Sequence, residues 1–201
     1  MLNVARAPYD KIAFLYNFIV KNILKDYVSS LRLIDKHLVI EKNQKVLDIG
    51  GGTGLYATHL IDKVKTVTVV DLSFKMLKKI NNLKILVLQA DGSKLPIQDC
   101  IFDVAILIDV LHHIDKNIQR QIISEVYRVL KKGGRIFVIE PFYKNDFKTR
   151  LFIKLEDLFS GKTYHINPDT IEVWLKELDF KNLKITYPIK QSCKFTIIAQ
   201  K

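Results

Sequence analysis

The sequence predicts an α/β protein in which one mostly parallel sheet lies between two layers of helices. Short apolar strands alternate with helical stretches five times in succession. The strands VAILI and IFVIE are apolar without interruption, as a sheet covered on both faces requires. The chain then closes with two strands that have no helix between them, so these two pair antiparallel.

Tyr9 to Tyr27 carries apolar residues at helical spacing (Ile12, Leu15, Tyr16, Ile19, Ile23), and a second helical stretch runs from Ser29 to about Leu38. The first strand is Lys45 to Ile49, followed by a helix over Leu55 to Val64. A β-branched strand over Thr66 to Val70 and a helix over Phe74 to Asn82 come next. A strand at Lys84 to Gln89, a loop with Pro96 and a strand at Phe102 to Ile108 lead to a helix over Asn117 to Leu130. Gly133-Gly134 stops that helix before a strand at Arg135 to Ile139. Beyond Pro141 a basic, aromatic stretch predicts an irregular helix and loop. Pro168 opens a helix over Asp169 to Leu178, on which Trp174 reads as a core residue, and the closing strands fall near Asn182 to Tyr187 and Lys194 to Ala199.

With 201 residues and no repeat, low-complexity tract or linker, residues 1–201 are expected to form one domain. Cys100 and Cys193 stand far apart and in no metal-like spacing, which argues against a disulfide framework or a zinc site and fits a reducing cytoplasm. The N-terminal segment lacks the pattern of a signal peptide, and no apolar run reaches the roughly 20 residues of a spanning helix. The net charge of +11 favours an acidic partner or an anionic surface. The lysines are nonetheless scattered, with short clusters only at Lys75 to Lys84 and Lys131 to Arg135, so nucleic acid is a possible partner but not the favoured one.

The most informative segment is VLDIGGGTG, Val46 to Gly54, in which an apolar strand runs into glycines and then a helix. Glycines let the backbone turn sharply and approach a ligand, and the amides opening the helix favour electron-rich groups. The dinucleotide-binding fingerprint needs a glycine where Leu55 stands, so that pattern fails. Asp71 ends the strand VTVVD, where a carboxylate can accept both hydroxyls of a ribose. The competing reading is a cap for the helix that opens at Ser73.

The spacing of Asp48, Gly50, Gly51, Gly52 and Gly54, together with Asp71, Gln89-Ala90-Asp91-Gly92 and the run LPIQDCIFDVAILIDVLHHI, resembles the class I S-adenosylmethionine-dependent methyltransferases. VLKKGGRIFVIEP, Val129 to Pro141, resembles the family's approach to its fifth strand, so the likeness covers about residues 44–141. More loosely, YDKIAFLYN looks like the N-terminal helix of ubiquinone- and menaquinone-biosynthesis C-methyltransferases, in which an acid often stands where this chain has Asn17. The resemblance implies a Rossmann-like three-layer sandwich with a seven-stranded sheet in the order 3-2-1-4-5-7-6 and the last strand antiparallel, residues 1–40 capping the cofactor site. It also implies S-adenosylmethionine as cofactor and S-adenosylhomocysteine as product. Asp71 and Leu72 would meet the ribose side, Asp91 and Gly92 the adenine, and Ile108 and Asp109 the methionine portion.

Methyl transfer from a sulfonium is an in-line displacement, for which alignment and exclusion of water matter most. Where the acceptor must lose a proton, histidine titrates in the useful range, and His112 and His113 follow the fourth strand at the ligand-bearing edge. They are the candidate catalytic residues, with Tyr143, Tyr164 and His165 as candidates for a substrate lid. Asp109-Val110-Leu111-His112 lacks the Pro-Pro-aromatic motif of enzymes that methylate base amines, neither cysteine follows a proline, and Asp109 alone does not make a magnesium site. The expected activity is methyl transfer to a small molecule, without a metal. An RNA-directed enzyme and a non-catalytic cofactor-binding partner subunit are the alternatives.

Overall fold

The computed structural model describes residues 26–143, 162–188 and 194–201, together with residues 9, 10, 13, 14, 16–18 and 20. Ile12, Leu15, Ile19, Ile23, Cys193 and most of the stretch expected to be irregular after Pro141 lie outside the described residues. Seven strands form one sheet: β1 (Lys45–Ile49), β2 (Thr66–Asp71), β3 (Ile85–Gln89), β4 (Phe102–Ile108), β5 (Leu130–Pro141), β6 (Lys181–Thr186) and β7 (Lys194–Gln200). Their order is β3-β2-β1-β4-β5-β7-β6. The first five pair in parallel, and β7 runs antiparallel to both β5 and β6. The expected order and the reversed last strand are both observed.

Side chains alternate across each strand, and this period of two builds both faces of the core. Leu47, Ala105, Leu107, Ile136 and Val138 pack under α4 (Lys116–Val129) and α5 (Pro168–Glu177), through Ile123, Val126, Ile171 and Leu175. Val46, Val104, Ile106 and Phe137 face the other way, toward α1 (Asp26–His37), α2 (Leu55–Leu60) and α3 (Phe74–Leu77), through Ile34, Ala57, Leu60 and Leu77. Trp174 is partly buried against the first cluster, as expected. Side chains supply the starts of three helices: Ser73, Asp115 and Asn167 accept from backbone amides at the openings of α3, α4 and α5.

Several element boundaries move. The helix expected over Phe74 to Asn82 ends at Leu77 and continues as turns, Lys79 N donating to Met76 O and Ile80 N to Leu77 O, both at 3.0 Å. These turns bring Ile80 against the glycine segment, 2.9 Å from where a Cβ on Gly54 would stand. The helix expected to reach Leu130 ends at Val129, because Leu130 is already extended (φ −72°, ψ 138°), fully buried and paired with Phe102. The fifth strand therefore begins before its glycines, with an irregularity in its pairing to β4. The second helix gives way at Ile61 to a single 3-10 turn over Ile61–Lys63.

Candidate functional site

The carboxyl ends of β1 to β4 open on a cleft of about 370 Å³. It lies where the strand order reverses direction between β1 and β4, the place at which open α/β sheets receive ligands. Gly50 and Gly52 line it, and both stand in the left-handed region, at φ +69° and +54°. A Cβ on Gly50 would lie 2.1 Å from Val110 Cγ2, and one on Gly51 would lie 2.5 Å from the Asp48 carboxyl, so the turn has no room for side chains. Gly54, at φ +72°, sits outside the cleft lining and turns the chain into α2.

Asp71 is held by backbone on both oxygens: Gly52 N donates to Oδ2 at 3.0 Å and Ser73 N to Oδ1 at 2.7 Å. Burial pushes its carboxyl above the usual range, and the two amides pull it part of the way back. The carboxylate is thus tied to the glycine turn and faces the cleft, with Leu72 beside it. Ser73 Oγ also bonds Asp10, which brings the N-terminal segment to this rim. Asp91 Oδ1 accepts from Ser93 N (2.8 Å) and Ser93 Oγ (2.7 Å), and Asp91 and Gly92 line the far wall. Asp48 lies behind the turn, 1% exposed, and its Oδ2 has no partner among the described residues. Burial, and then the charge of Asp71, raises it to about 7.

The chain leaves β4 at Asp109 with φ +55°, a conformation that aspartate tolerates better than most side chains. Asp109 lines the cleft, and its Oδ2 accepts from Lys194 Nζ at 2.6 Å and from the Tyr56 hydroxyl at 3.1 Å. The turn that follows is organised by Glu140, which is fully buried at the end of β5. Its Oε1 accepts from Val110 N (2.9 Å) and Leu111 N (2.7 Å), while Oε2 lies 2.6 Å from His112 Nδ1. His112 is consequently 2% exposed and does not line the cleft, whereas His113 does. His113 Nδ1 is closed to solvent with no partner among the described residues. Burial, and then the neighbouring His112, holds the imidazole well below its ordinary value, so it is neutral near pH 7.

The structure therefore brings Gly50, Gly52, Asp71 and Leu72 together with Asp91, Gly92, Asp109 and His113 around one cleft. Asp48, Gly51, Gly54, Ile108 and His112 stand behind its wall, Ile108 in the core on the α1 side. Tyr9, Tyr16 and Tyr164 also line it, while Tyr143 and His165 pair with each other by ring contact. The Tyr16 hydroxyl is held far above its usual range by desolvation and by the surrounding carboxylates, Asp109 first. Sequence reasoning missed Lys194, Tyr56 and Glu140. Two of them had a signal, a charged residue closing the apolar strand IFVIE and another opening KFTIIA. Among the described residues no group of three or more His, Cys, Asp or Glu side chains could hold a metal ion.

A glycine turn at a topological switch point, with carboxylates at the tips of the next two strands, defines an α/β domain of the nucleoside-cofactor type. Residues 47–138 match the methyltransferase domain family. The chain is 31% identical over 171 residues to an uncharacterized protein of Methanocaldococcus jannaschii, covering 81% of this chain and 76% of that one. It is 28% identical over 174 residues to the ubiquinone/menaquinone biosynthesis C-methyltransferase UbiE of Haemophilus ducreyi, covering 81% of this chain and 61% of the relative's length. A solved S-adenosylmethionine-dependent methyltransferase of Thermotoga maritima shares the fold, with a TM-score of 0.81 at 20% identity over 98% of this chain and 99% of that one. Residues 47–138 thus form a class I S-adenosylmethionine-dependent methyltransferase domain, homologous to that of the UbiE-type enzymes. S-adenosylmethionine is the cofactor of that family.

Proposed function

We propose that the cleft binds S-adenosylmethionine and that the protein transfers its methyl group to a small-molecule acceptor entering beside His113 and Tyr164. The observation that carries this reading is Asp71, a half-buried carboxylate tied through Gly52 N to the glycine turn and turned toward the cleft. A ribose diol could donate to it without any rearrangement of the backbone. The fit extends to the rest of the wall: Gly50 and Gly52 keep backbone bare of side chains, and Asp91 offers an acceptor for an adenine amino group. Asp109 stands where the methionine portion is expected, and its Oδ1 lacks a donor among the described residues. The sulfonium, when bound, supplies an activated methyl group.

The chain's own residues then have three tasks. Gly50, Gly52, Asp71 and Asp109 orient the cofactor from the sheet side. Tyr9, Tyr16 and Tyr164 close the cleft against water, which supports the proposal that residues 1–40 cap the site within a single domain of residues 1–201. His113, held neutral and with no partner at Nδ1 among the described residues, is the cleft-lining candidate to accept a hydrogen bond or proton from the acceptor. His112, locked on Glu140, holds His113 in place through the shared turn. No helix among the described residues is long and apolar enough to cross a membrane. Cytoplasmic residence is part of the same proposal and is supported by the exposed, unpaired thiol of Cys100.

Calorimetry with S-adenosylhomocysteine tests the site. Asp71→Ala should weaken binding by roughly 1–3 kcal/mol, and an unchanged affinity removes Asp71 from it. Isotope transfer from labelled S-adenosylmethionine into a metabolite extract, run beside an RNA pool, tests the acceptor class. Label in the RNA alone would establish the RNA-directed reading, for which the charge of +11 is the supporting observation. Tight binding with no transfer to either pool would favour the partner-subunit reading.

A further inference from the structure

Lys194 opens β7, yet its side chain is 3% exposed, with Nζ 2.6 Å from Asp109 Oδ2 and 2.9 Å from Ser30 Oγ. The Tyr56 hydroxyl donates to the same carboxylate oxygen at 3.1 Å. An ammonium removed from water is costly, and a buried ion pair seldom stabilises a fold better than apolar side chains of similar volume. On the same strand Phe195, Ile197 and Ala199 fill buried positions with apolar groups, and the buried Thr196 carries only a neutral hydroxyl. Stability therefore does not account for a lysine here. Its partner does: Asp109 lines the cleft, stands in the left-handed region at φ +55°, and keeps its second oxygen, Oδ1, closed to solvent without a donor among the described residues.

We propose that Lys194 is a positioning residue for cofactor selection: by holding one oxygen of Asp109, it fixes the carboxylate for the ammonium of the cofactor's amino-acid end. The inference rests on the proposed cofactor cleft and adds to it a residue from a strand outside the β1–β4 framework. Two donors on Oδ2 set the carboxylate plane, so a ligand N–H meets an acceptor whose orientation is already fixed. Lys194 touches no ligand atom in this scheme and acts only through Asp109.

The experiment compares two probes by calorimetry: S-adenosylhomocysteine, which carries the amino-acid end, and 5′-methylthioadenosine, which lacks it. The wild type should bind both. Lys194→Met should weaken S-adenosylhomocysteine about tenfold, the scale of one charge-assisted hydrogen bond, and leave 5′-methylthioadenosine within about twofold. Asp109→Asn should do the same, and the double variant should be no weaker than Asp109→Asn alone. Equal losses for the two probes would mark a general structural role and overturn the proposal. So would full affinity in Lys194→Met, or additive losses in the double variant. Should Lys194→Met not fold, Lys194→Gln and Ser30→Ala carry the same two-probe comparison, with the same selective loss expected. A wild type that binds neither probe would instead refute the cleft reading, and this inference with it.

Discussion

Gly50 tests how far the site depends on a bare backbone. With φ +69° and Val110 Cγ2 2.1 Å from a would-be Cβ, Gly50→Ala forces either the turn or the post-β4 segment to move. A loss of roughly 2–3 kcal/mol in urea unfolding is expected, together with loss of S-adenosylhomocysteine binding. Asp48 makes a prediction about pH. Its carboxyl is raised to about 7 in the folded protein, chiefly by burial, against about 4 in an unfolded chain. The folded state therefore holds the proton over this window and the unfolded state does not, so this group's contribution to stability falls as pH rises from about 4 to 7 and is flat above. Asp48→Asn should remove that slope, so the stability difference between variant and wild type, followed by urea unfolding of the ligand-free proteins, should grow across the window. A parallel pair of profiles would show that Asp48 does not titrate there. His113, held neutral, should add no acidic limb near its ordinary value to the rate profile. The glycine turn and the strand-tip aspartates could be placed at the cleft from the sequence because each ends or closely follows an apolar strand. Lys194, Tyr56 and Glu140 could not, because each acquires its role from a partner 85, 53 or about 29 residues away.

The strands were legible because an apolar run with β-branched residues leaves few alternatives, and β1, β2 and β4 lie within a residue of their expected bounds. Helix ends were harder, since tertiary contacts decided them: Ile80 against Gly54 shortens α3, and Leu130 is drawn into pairing with Phe102. The short α3 leans on its cap, Ser73 Oγ accepting from Met76 N at 3.2 Å. Ser73→Ala should cost about 1 kcal/mol in chemical unfolding. β3 is the sheet's outer strand beyond β2, and it exposes Leu86 (55%) and Val87 (53%). Leu86→Lys should change stability by less than about 0.5 kcal/mol. It should also reduce self-association in sedimentation at high concentration, as charged edge residues do in natural sheets.

Two core layers share one sheet, and strands such as β5 contribute Ile136 and Val138 to one face and Phe137 and Ile139 to the other. The two layers are therefore expected to unfold together. Phe137→Ala should cost roughly 3–5 kcal/mol. Fluorescence of Trp174, on the opposite face, should report the same lowered midpoint as far-ultraviolet circular dichroism, and separated midpoints would show that the layers unfold independently. The strand order carries one more consequence. β6 precedes β7 in the chain but lies outside it, so β6 gains its place only when β7 threads between it and β5. On a ribosome, β6 must wait, tethered yet unzipped, for the segment that begins at Lys194. Because that residue also reaches Asp109, the step that locks the sheet edge is the same one that finishes the cleft, and a half-made chain would carry an unready pocket.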